Sequence, residues 1–124
     1  MNEEITLIRR RAVMSRALLR TSSRLGLSRE RLARATGLRL AEIASLENEA
    51  GELDPLDPRW NAFVQLVRLC WVLDVVAAGD EATMRDWMHG YNRDLKAVPA
   101  DLIGAERGLD EAISYLETHG PTRH

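Results

Sequence analysis

Residues 60–78 are apolar on almost every side of a helix, and this stretch restricts the possible folds of the chain more than any other feature. Asp57 and Pro58 precede it as an N-cap and a first-turn proline, a common start of a helix. A helix with so narrow a polar stripe must be covered on several sides. We therefore expect either a central helix packed between two halves of the chain or a helix at a dimer interface. Charged residues such as Arg68 and Asp74 interrupt the apolar run, which favours a buried core helix over a membrane span.

The apolar periodicity of the other segments also predicts helices, and no stretch alternates as a strand would. The fold class expected is therefore all-α. The loop at residues 49–55 is the clearest boundary, so we predict an N-terminal unit at 1–56 and a C-terminal unit at 57–124. The predicted helices run from Asn2 to about Gly26, from 28 to 35, from about 39 to 48, from 57 to 78, from 80 to 89, briefly after Pro99, and from 109 to 117.

Charge is divided unevenly along the chain. Residues 1–50 hold ten Arg and six acidic residues, a balance of +4, whereas residues 51–124 hold seven basic and thirteen acidic residues, a balance of −6. Between residues 9 and 39 there are ten Arg and a single acidic residue, Glu30. A basic half is typical of proteins that bind nucleic acid, although arginines on exposed helix faces also serve solubility alone.

The stretch RLARATGLRLAEIASLEN, residues 31–48, has the spacing of a helix-turn-helix. Such a unit needs a small residue midway along its first helix, here Ala33, and a residue tolerant of positive φ in the turn, here Gly37. Ile43 and Leu46 occupy the positions that are buried in the second helix. An ordinary helical hairpin would satisfy the same packing, and it is the surrounding excess of arginine that favours DNA binding.

This stretch resembles the helix-turn-helix of the Xre/Cro-like repressors, including the closing run Ile43-x-x-Leu46-Glu47-Asn48. The resemblance implies that the second helix enters the major groove, within a dimer that spans two half-sites. The leading residues of this helix offer few hydrogen-bond donors, so we expect modest sequence specificity. The resemblance implies base-facing residues Arg39, Ala41, Glu42 and Ser45, and phosphate contacts from Arg24, Arg29, Arg31 and Arg34.

No arrangement of residues points to catalysis. The three His residues have neither Cys neighbours nor the i, i+4 spacing of a helical metal pair, and Ser114 has no candidate base beside it. Cys70 is the lone cysteine, so neither a disulfide framework nor a thiolate metal site is expected. We therefore predict a protein that is not an enzyme, has no cofactor or metal, and is cytoplasmic, since no secretory signal is recognised.

The C-terminal half resembles the toxin-binding domain of the Xre/MbcA/ParS antitoxin family, over about residues 59–120. With the helix-turn-helix in front, the resemblance covers nearly the whole chain in the order typical of the family. The features that carry it are Trp87-Met88, Asn92, Leu95, the run Pro99-Ala100-Asp101-Leu102, Gly104 or Gly108, and a closing amphipathic helix with Leu109, Ala112, Ile113 and Leu116.

This second resemblance implies a type II antitoxin that performs no chemistry itself. Its partners would be a RES-domain toxin, which is an ADP-ribosyltransferase-like protein acting on NAD, and the operator DNA of its own operon. The C-terminal end would block the toxin's active site, and the antitoxin would be a homodimer with no membrane association. The toxin-binding residues implied are Trp87, Asn92, Arg93, Tyr115, Thr118, His119, Arg123 and His124.

Two other interpretations remain open at this stage. The chain could be a plain Xre-type transcriptional regulator whose C-terminal half only dimerises or senses a ligand. It could also be a structural helical adaptor with no role in DNA binding, although the excess of arginine between residues 9 and 39 argues against that.

Overall fold

The computed structural model describes the backbone of residues 2–119 and the side chains of residues 10–119. Over this range the chain is helical and contains no strand beyond one isolated antiparallel bridge between Asn92 and Ala97, which confirms the all-α class. The helices are α1 (Asn2–Leu25), α2 (Arg29–Thr36), α3 (Leu40–Glu47), α4 (Trp60–Val76), α5 (Glu81–His89), α6 (Pro99–Leu102) and α7 (Gly108–His119).

The helix boundaries follow the sequence signals closely, with one shift at the start of α4. Asp57 was expected to cap that helix, but α4 begins three residues later, at Trp60. The Asp57 carboxylate instead accepts the N–H of Arg59 at 2.8 Å within a turn. Asp side chains accept bonds from the amide two residues on as readily as they cap helices, so the Asp-Pro pair marks a turn before the helix.

Helix α4 is the central helix of the structure. Its inward face buries Phe63, Leu66, Leu69, Cys70 and Leu73. Helix α1 packs along one side of α4 and α7 along the other. The buried apolar side chains form one cluster that extends from Leu18 to Leu116, so both predicted units of the chain contribute to the same core.

Helices α2 and α3 lie at the N-terminal end of α4, and helix α5 lies at its C-terminal end. Helix α5 also closes the last turn of α1, because Arg85 donates to the Ser23 carbonyl at 2.7 Å and a ring nitrogen of His89 lies 3.0 Å from the Leu25 carbonyl. Basic side chains at a helix C-terminus satisfy carbonyls that have no partner within the helix.

Among residues 2–119 no single helix is both long and apolar enough to cross a membrane. Helices α4 and α5 meet that requirement only when taken together, and they are bent by 117° at the break between them.

Candidate functional site

Helices α2 and α3 are joined by a tight turn whose geometry the sequence anticipates. Gly37 has φ of +80° and donates its N–H to the Ala33 carbonyl at 2.8 Å, so the turn uses the left-handed conformation that glycine adopts without steric cost. The Thr36 hydroxyl bonds to the Leu32 carbonyl at 2.7 Å and accepts the Leu38 N–H at 3.2 Å. Residues Leu32, Leu38, Ile43 and Leu46 are buried, as expected.

The start of α3 is held by an ionic cluster centred on Arg59. The guanidinium of Arg59 donates to both carboxylate oxygens of Glu42 at 2.9 Å, and to Asp57 at 2.7 and 3.0 Å. It also donates to the Gly37 carbonyl at 3.0 Å. Arg59 therefore connects the turn, the first turn of α3 and the segment before α4.

Charge pairing in this cluster shifts the titration of its members. The hydrogen bonds from Arg59, helped by the N–H of Arg39, lower the pKa of Glu42 from 4.5 to about 2. Arg59 likewise lowers the pKa of Asp57, and the two carboxylates raise the pKa of Arg59. All three groups are therefore charged at neutral pH, and hydrogen bonds to the charged forms are the main cause.

The four predicted base-facing residues differ in how available they are. The Arg39 side chain is 80% exposed at the N-terminus of α3, within 3.2 Å of Glu42. Ala41 is exposed and Ser45 is half-buried. Glu42 is only 27% exposed, and its oxygens accept from Arg59 and from the backbone N–H of Arg39 at 3.0 Å.

The four predicted phosphate-contacting arginines are not gathered on one surface. Arg24 lies 2.6 Å from Asp74 and contacts the sulfur of Met84, which places it between α4 and α5, away from the α2–α3 pair. Arg29 pairs with Glu47 at 2.9 Å and Arg31 pairs with Asp101 at 3.1 Å. Arg34 is exposed and makes no ion pair with the side chains that the structure describes.

Arg59 is not among the residues predicted from the sequence, because it lies outside the α2–α3 stretch. The only local signal is its position two residues after Asp57, which favours a turn stabilised by the carboxylate. Its pairing with Glu42 joins residues that are 17 apart in the chain, and no short-range pattern encodes that contact.

A second candidate site lies at the C-terminal end of α4, where a cleft of about 550 Å³ opens between α5, the following loop and α7. Five of the eight predicted toxin-binding residues line this cleft, although they are spread over 33 positions of the sequence. They are Trp87, Asn92, Arg93, Tyr115 and His119.

Three rings form a continuous stack along the cleft. The ring centroids of Trp87 and Tyr115 are 6.5 Å apart, and those of Tyr115 and His119 are 4.5 Å apart, with interplanar angles of 23° and 22°. The Tyr115 hydroxyl bonds to Asp94 at 2.9 Å. Offset stacking of this kind presents both apolar faces and polar edges to a partner.

Asn92 has a structural role beside this stack. Its side-chain oxygen accepts the N–H groups of Asp94 and Leu95, both at 3.0 Å, and its backbone pairs with Ala97. An Asn that bonds to the following amides shapes a turn. Asn92 therefore positions Arg93 and Asp94 at the edge of the cleft.

The other predicted toxin-binding residues lie elsewhere. Thr118 is exposed on α7 and does not line the cleft. Arg123 and His124 lie outside the described residues. Within residues 2–119, no group of three or more His, Cys, Asp or Glu side chains is placed to hold a metal ion.

A scan of the sequence against protein-family models found no matching family, and a search of curated proteins found no significant match.

Proposed function

We propose that this protein is a DNA-binding antitoxin, which inhibits a RES-domain toxin through its C-terminal half and represses its own operon through α2 and α3. The observation that carries the proposal is that the two candidate surfaces lie at opposite ends of α4. The α2–α3 pair is anchored to Arg59 at one end, and the aromatic cleft includes Val76 at the other. Seventeen residues of helix, about 25 Å, separate them. Both partners can therefore bind at once.

The proposed DNA-binding surface is a helix-turn-helix formed by α2 and α3. It is supported by the left-handed Gly37, the buried apolar set and the exposed Arg39 at the N-terminus of α3. Because Arg59 and the Arg39 N–H hold Glu42, we assign it the role of orienting α3. Base contacts then fall to Arg39 and Ala41, as a guanine pair and a thymine-methyl contact, with Ser45 as the remaining candidate.

Replacement of Arg39 by Ala tests the DNA-binding surface. We expect a loss of about 1–3 kcal/mol for the protein's own promoter and a smaller loss for a random duplex, measured by fluorescence anisotropy. Arg34→Ala is the matched control, because a phosphate contact should weaken both duplexes equally and reduce the salt dependence. If Arg39→Ala weakens binding to the promoter and to the random duplex equally, Arg39 contacts phosphate and does not read a base.

The proposed toxin-binding surface is the cleft lined by Trp87, Tyr115 and His119. Aromatic side chains with polar edges are favoured anchors at protein interfaces, and Arg93 supplies a cation at the rim. The acidic balance of residues 51–124 suits a toxin whose cleft binds the phosphates of a dinucleotide.

Co-expression with the product of the adjacent reading frame tests this surface. Tyr115→Ala removes the central ring of the stack and should lower toxin affinity at least about tenfold, with loss of growth rescue. Glu111→Ala is the matched control, because Glu111 is exposed on the same helix outside the cleft and is not among the predicted toxin-binding residues. Undiminished rescue by Tyr115→Ala would contradict the assignment of the cleft.

The tail is tested by removal of residues 120–124, which include Arg123 and His124, two of the residues predicted to bind the toxin. If this segment blocks the toxin's active site, the shortened chain should still bind the toxin through the cleft but should no longer neutralise it. If the shortened chain still neutralises the toxin, the surface of the helices is the inhibitor and the tail is not.

Toxin binding is also proposed to regulate repression. A toxin that bridges two antitoxin dimers would raise their affinity for DNA through avidity, without any new contact to the bases. In electrophoretic shift assays, the antitoxin concentration that shifts half of the promoter DNA should therefore fall as toxin is added. A constant DNA affinity at all toxin ratios would exclude this regulation.

A plain transcriptional regulator remains the second candidate, because a cleft of about 550 Å³ falls in the size range of small-molecule sites. The two functions differ in one simple outcome. An adjacent reading frame that is harmless when expressed alone would favour the regulator, and one that is lethal without this chain would favour the antitoxin.

A further inference from the structure

The outward face of α4 exposes large apolar side chains that the fold leaves uncovered. Trp71 is 73% exposed, Val75 is 71% exposed and Val64 is 40% exposed. These residues recur at intervals of seven and four, so they form one stripe along the helix. Arg68 also lies in this stripe, but its guanidinium bonds to Glu117 of α7 at 2.7 Å, which draws the charge away from the middle.

The two sides of this stripe differ in charge. On the α1 side, Arg16 and Arg20 line a groove with Trp71, are exposed, and make no ion pair with any described side chain. On the α7 side, Asp110 and Glu117 are exposed and lie beside the polar edge of α4. Glu117 is paired with Arg68, and the groove beside Asp110 is also lined by Arg34 and Arg107. The face therefore has three parallel bands: a basic band with two unpaired arginines, an apolar middle, and a third band that carries the exposed carboxylates.

We propose that this three-band face binds a second copy of the chain, with the two α4 helices packed in parallel. A two-fold axis in the interface that runs along α4 places α1 of one protomer over α7 of the other, so basic bands meet acidic bands. An axis across α4 would give antiparallel helices and place α1 over α1, where like charges repel. Charge complementarity therefore selects the parallel arrangement.

The face has the dimensions of a modest dimer interface. Helix α4 is about 25 Å long, and its two neighbours lie about 9 Å to either side. The footprint is then roughly 500 Å² per protomer, below the 800 Å² of a standard interface. A reversible dimer is expected, with Trp71 as the main anchor.

The parallel arrangement has a consequence for the proposed repressor, and in this respect the inference rests on the proposed function. It places both α2–α3 pairs at one end of the dimer and both aromatic clefts at the other. Two α3 helices at the same end can reach one DNA duplex, whereas an antiparallel dimer would separate them. Dimerisation is measurable without DNA or toxin, so a failure to dimerise is distinct from a failure to bind DNA.

The first experiment measures association of the full chain by sedimentation across a concentration series. The wild-type chain should dimerise, and Trp71→Asp should raise the dissociation constant at least about 30-fold. Leu56→Asp is the matched control, because Leu56 is an exposed apolar residue outside this face. A monomeric wild-type chain, or a Trp71→Asp variant that dimerises normally, would overturn the proposal. Association that required DNA or the toxin would assign the face to that partner.

The second experiment tests the charge pairing. Arg16→Glu with Arg20→Glu should weaken the dimer, because both flanks become acidic. Ser114 is exposed on α7 between Asp110 and Glu117, on the same face of the helix. Adding Asp110→Lys and Ser114→Lys to the same chain makes the α7 side basic, leaves Glu117 paired with Arg68, and should restore association. An antiparallel dimer would not show this loss and recovery, because like bands meet in all three chains.

The third experiment tests orientation directly. In the parallel dimer Val75 lies near the axis and faces the Val75 of the other protomer, so Val75→Cys should form a disulfide-linked dimer with oxidised glutathione. The wild-type chain is the control, because its Cys70 is buried. Absence of the cross-link in a variant that still dimerises would exclude the parallel arrangement.

Discussion

At the scale of single residues, Arg59 has the largest structural influence on the candidate DNA-binding surface. It donates hydrogen bonds to two carboxylates and to the carbonyl of Gly37, so a single side chain fixes the turn and the first residues of α3. Charged hydrogen bonds shared in this way are shorter and stronger than neutral ones. The direction in which Arg39 points therefore depends on a residue that lies 20 positions further along the chain.

The pairing between Glu42 and Arg59 predicts a contribution to stability that depends on pH. The folded-state pKa of Glu42 is lowered from 4.5 to about 2, so the contribution is fully present above about pH 4.5 and is lost as the pH falls towards 2. Glu42→Gln should cost about 1–2 kcal/mol at pH 7 and flatten the acid dependence over that range. Urea denaturation at several pH values measures both effects. The exposed loop substitution Glu52→Gln is the control, and an equal cost for the two variants would contradict this role.

Gly37 predicts a second effect at the residue scale. A Cβ at this position would lie 3.1 Å from Cδ of Arg59, and the backbone has φ of +80°. Gly37→Ala should therefore cost the left-handed strain of about 1–2 kcal/mol and also disturb Arg59. Gly79→Ala is the matched control, because Gly79 has the same φ and no atom within 4 Å of its Cβ position. If the two variants lower the melting temperature equally, Gly37→Ala does not disturb Arg59.

At the scale of elements, the junction between α6 and α7 joins the two predicted units of the chain. Helix α6 contacts α2 through the Asp101–Arg31 ion pair, and Gly104 packs against Arg34. Helix α7 begins at Gly108, whose Cα lies against the Leu102 carbonyl at the end of α6. The position of the α2–α3 pair is thus set partly by the C-terminal half.

Gly108 predicts the most disruptive single substitution at this scale. A Cβ there would lie 1.8 Å from the Leu102 carbonyl oxygen, which is backbone and cannot rotate away. Gly108→Ala should separate α6 from α7 and cost at least about 3 kcal/mol, near the upper end of single-residue effects. Gly51→Ala, which meets only the Ser45 Cβ at 3.5 Å, is the control in a thermal melt. A native-like melting temperature for Gly108→Ala would contradict this packing.

At the scale of the whole molecule, one hydrophobic core serves both halves. Leu18 and Leu25 of α1 and Ile43 of α3 belong to the same buried cluster as Met88 and Leu116 of the C-terminal half. Helix α4 lies in the middle of this cluster and supplies much of its apolar surface. The loop at residues 49–55 divides the chain without dividing the core.

The shared core predicts the behaviour of a fragment that contains residues 1–56. Without α4 its apolar side chains remain exposed to water, so it should show no cooperative unfolding transition, whereas the full chain should unfold in a single step. Circular dichroism during thermal unfolding distinguishes the two. A sharp transition in the fragment would show that residues 1–56 form an independent unit.

The helices and the α2–α3 turn could be predicted because their signals are local. Gly37, Ser28 and the apolar spacing act within a few residues, and the observed bounds differ from the predicted ones by at most three positions. The candidate cleft could be predicted only in part. Trp87 and Tyr115 were selected by resemblance, and their stacking depends on how α5 and α7 pack.

The sequence by itself determined the all-α class, the order of the helices and the need to bury α4, because backbone propensity and apolar periodicity are properties of neighbouring residues. Tertiary structure alone decided which arginines form ion pairs and that Glu42 is held by Arg59. It also decided that Trp71 and Val75 remain exposed. The physical reason is distance along the chain. Ion pairs and helix packing join residues tens of positions apart, and their partners are set only when all seven described helices are in place.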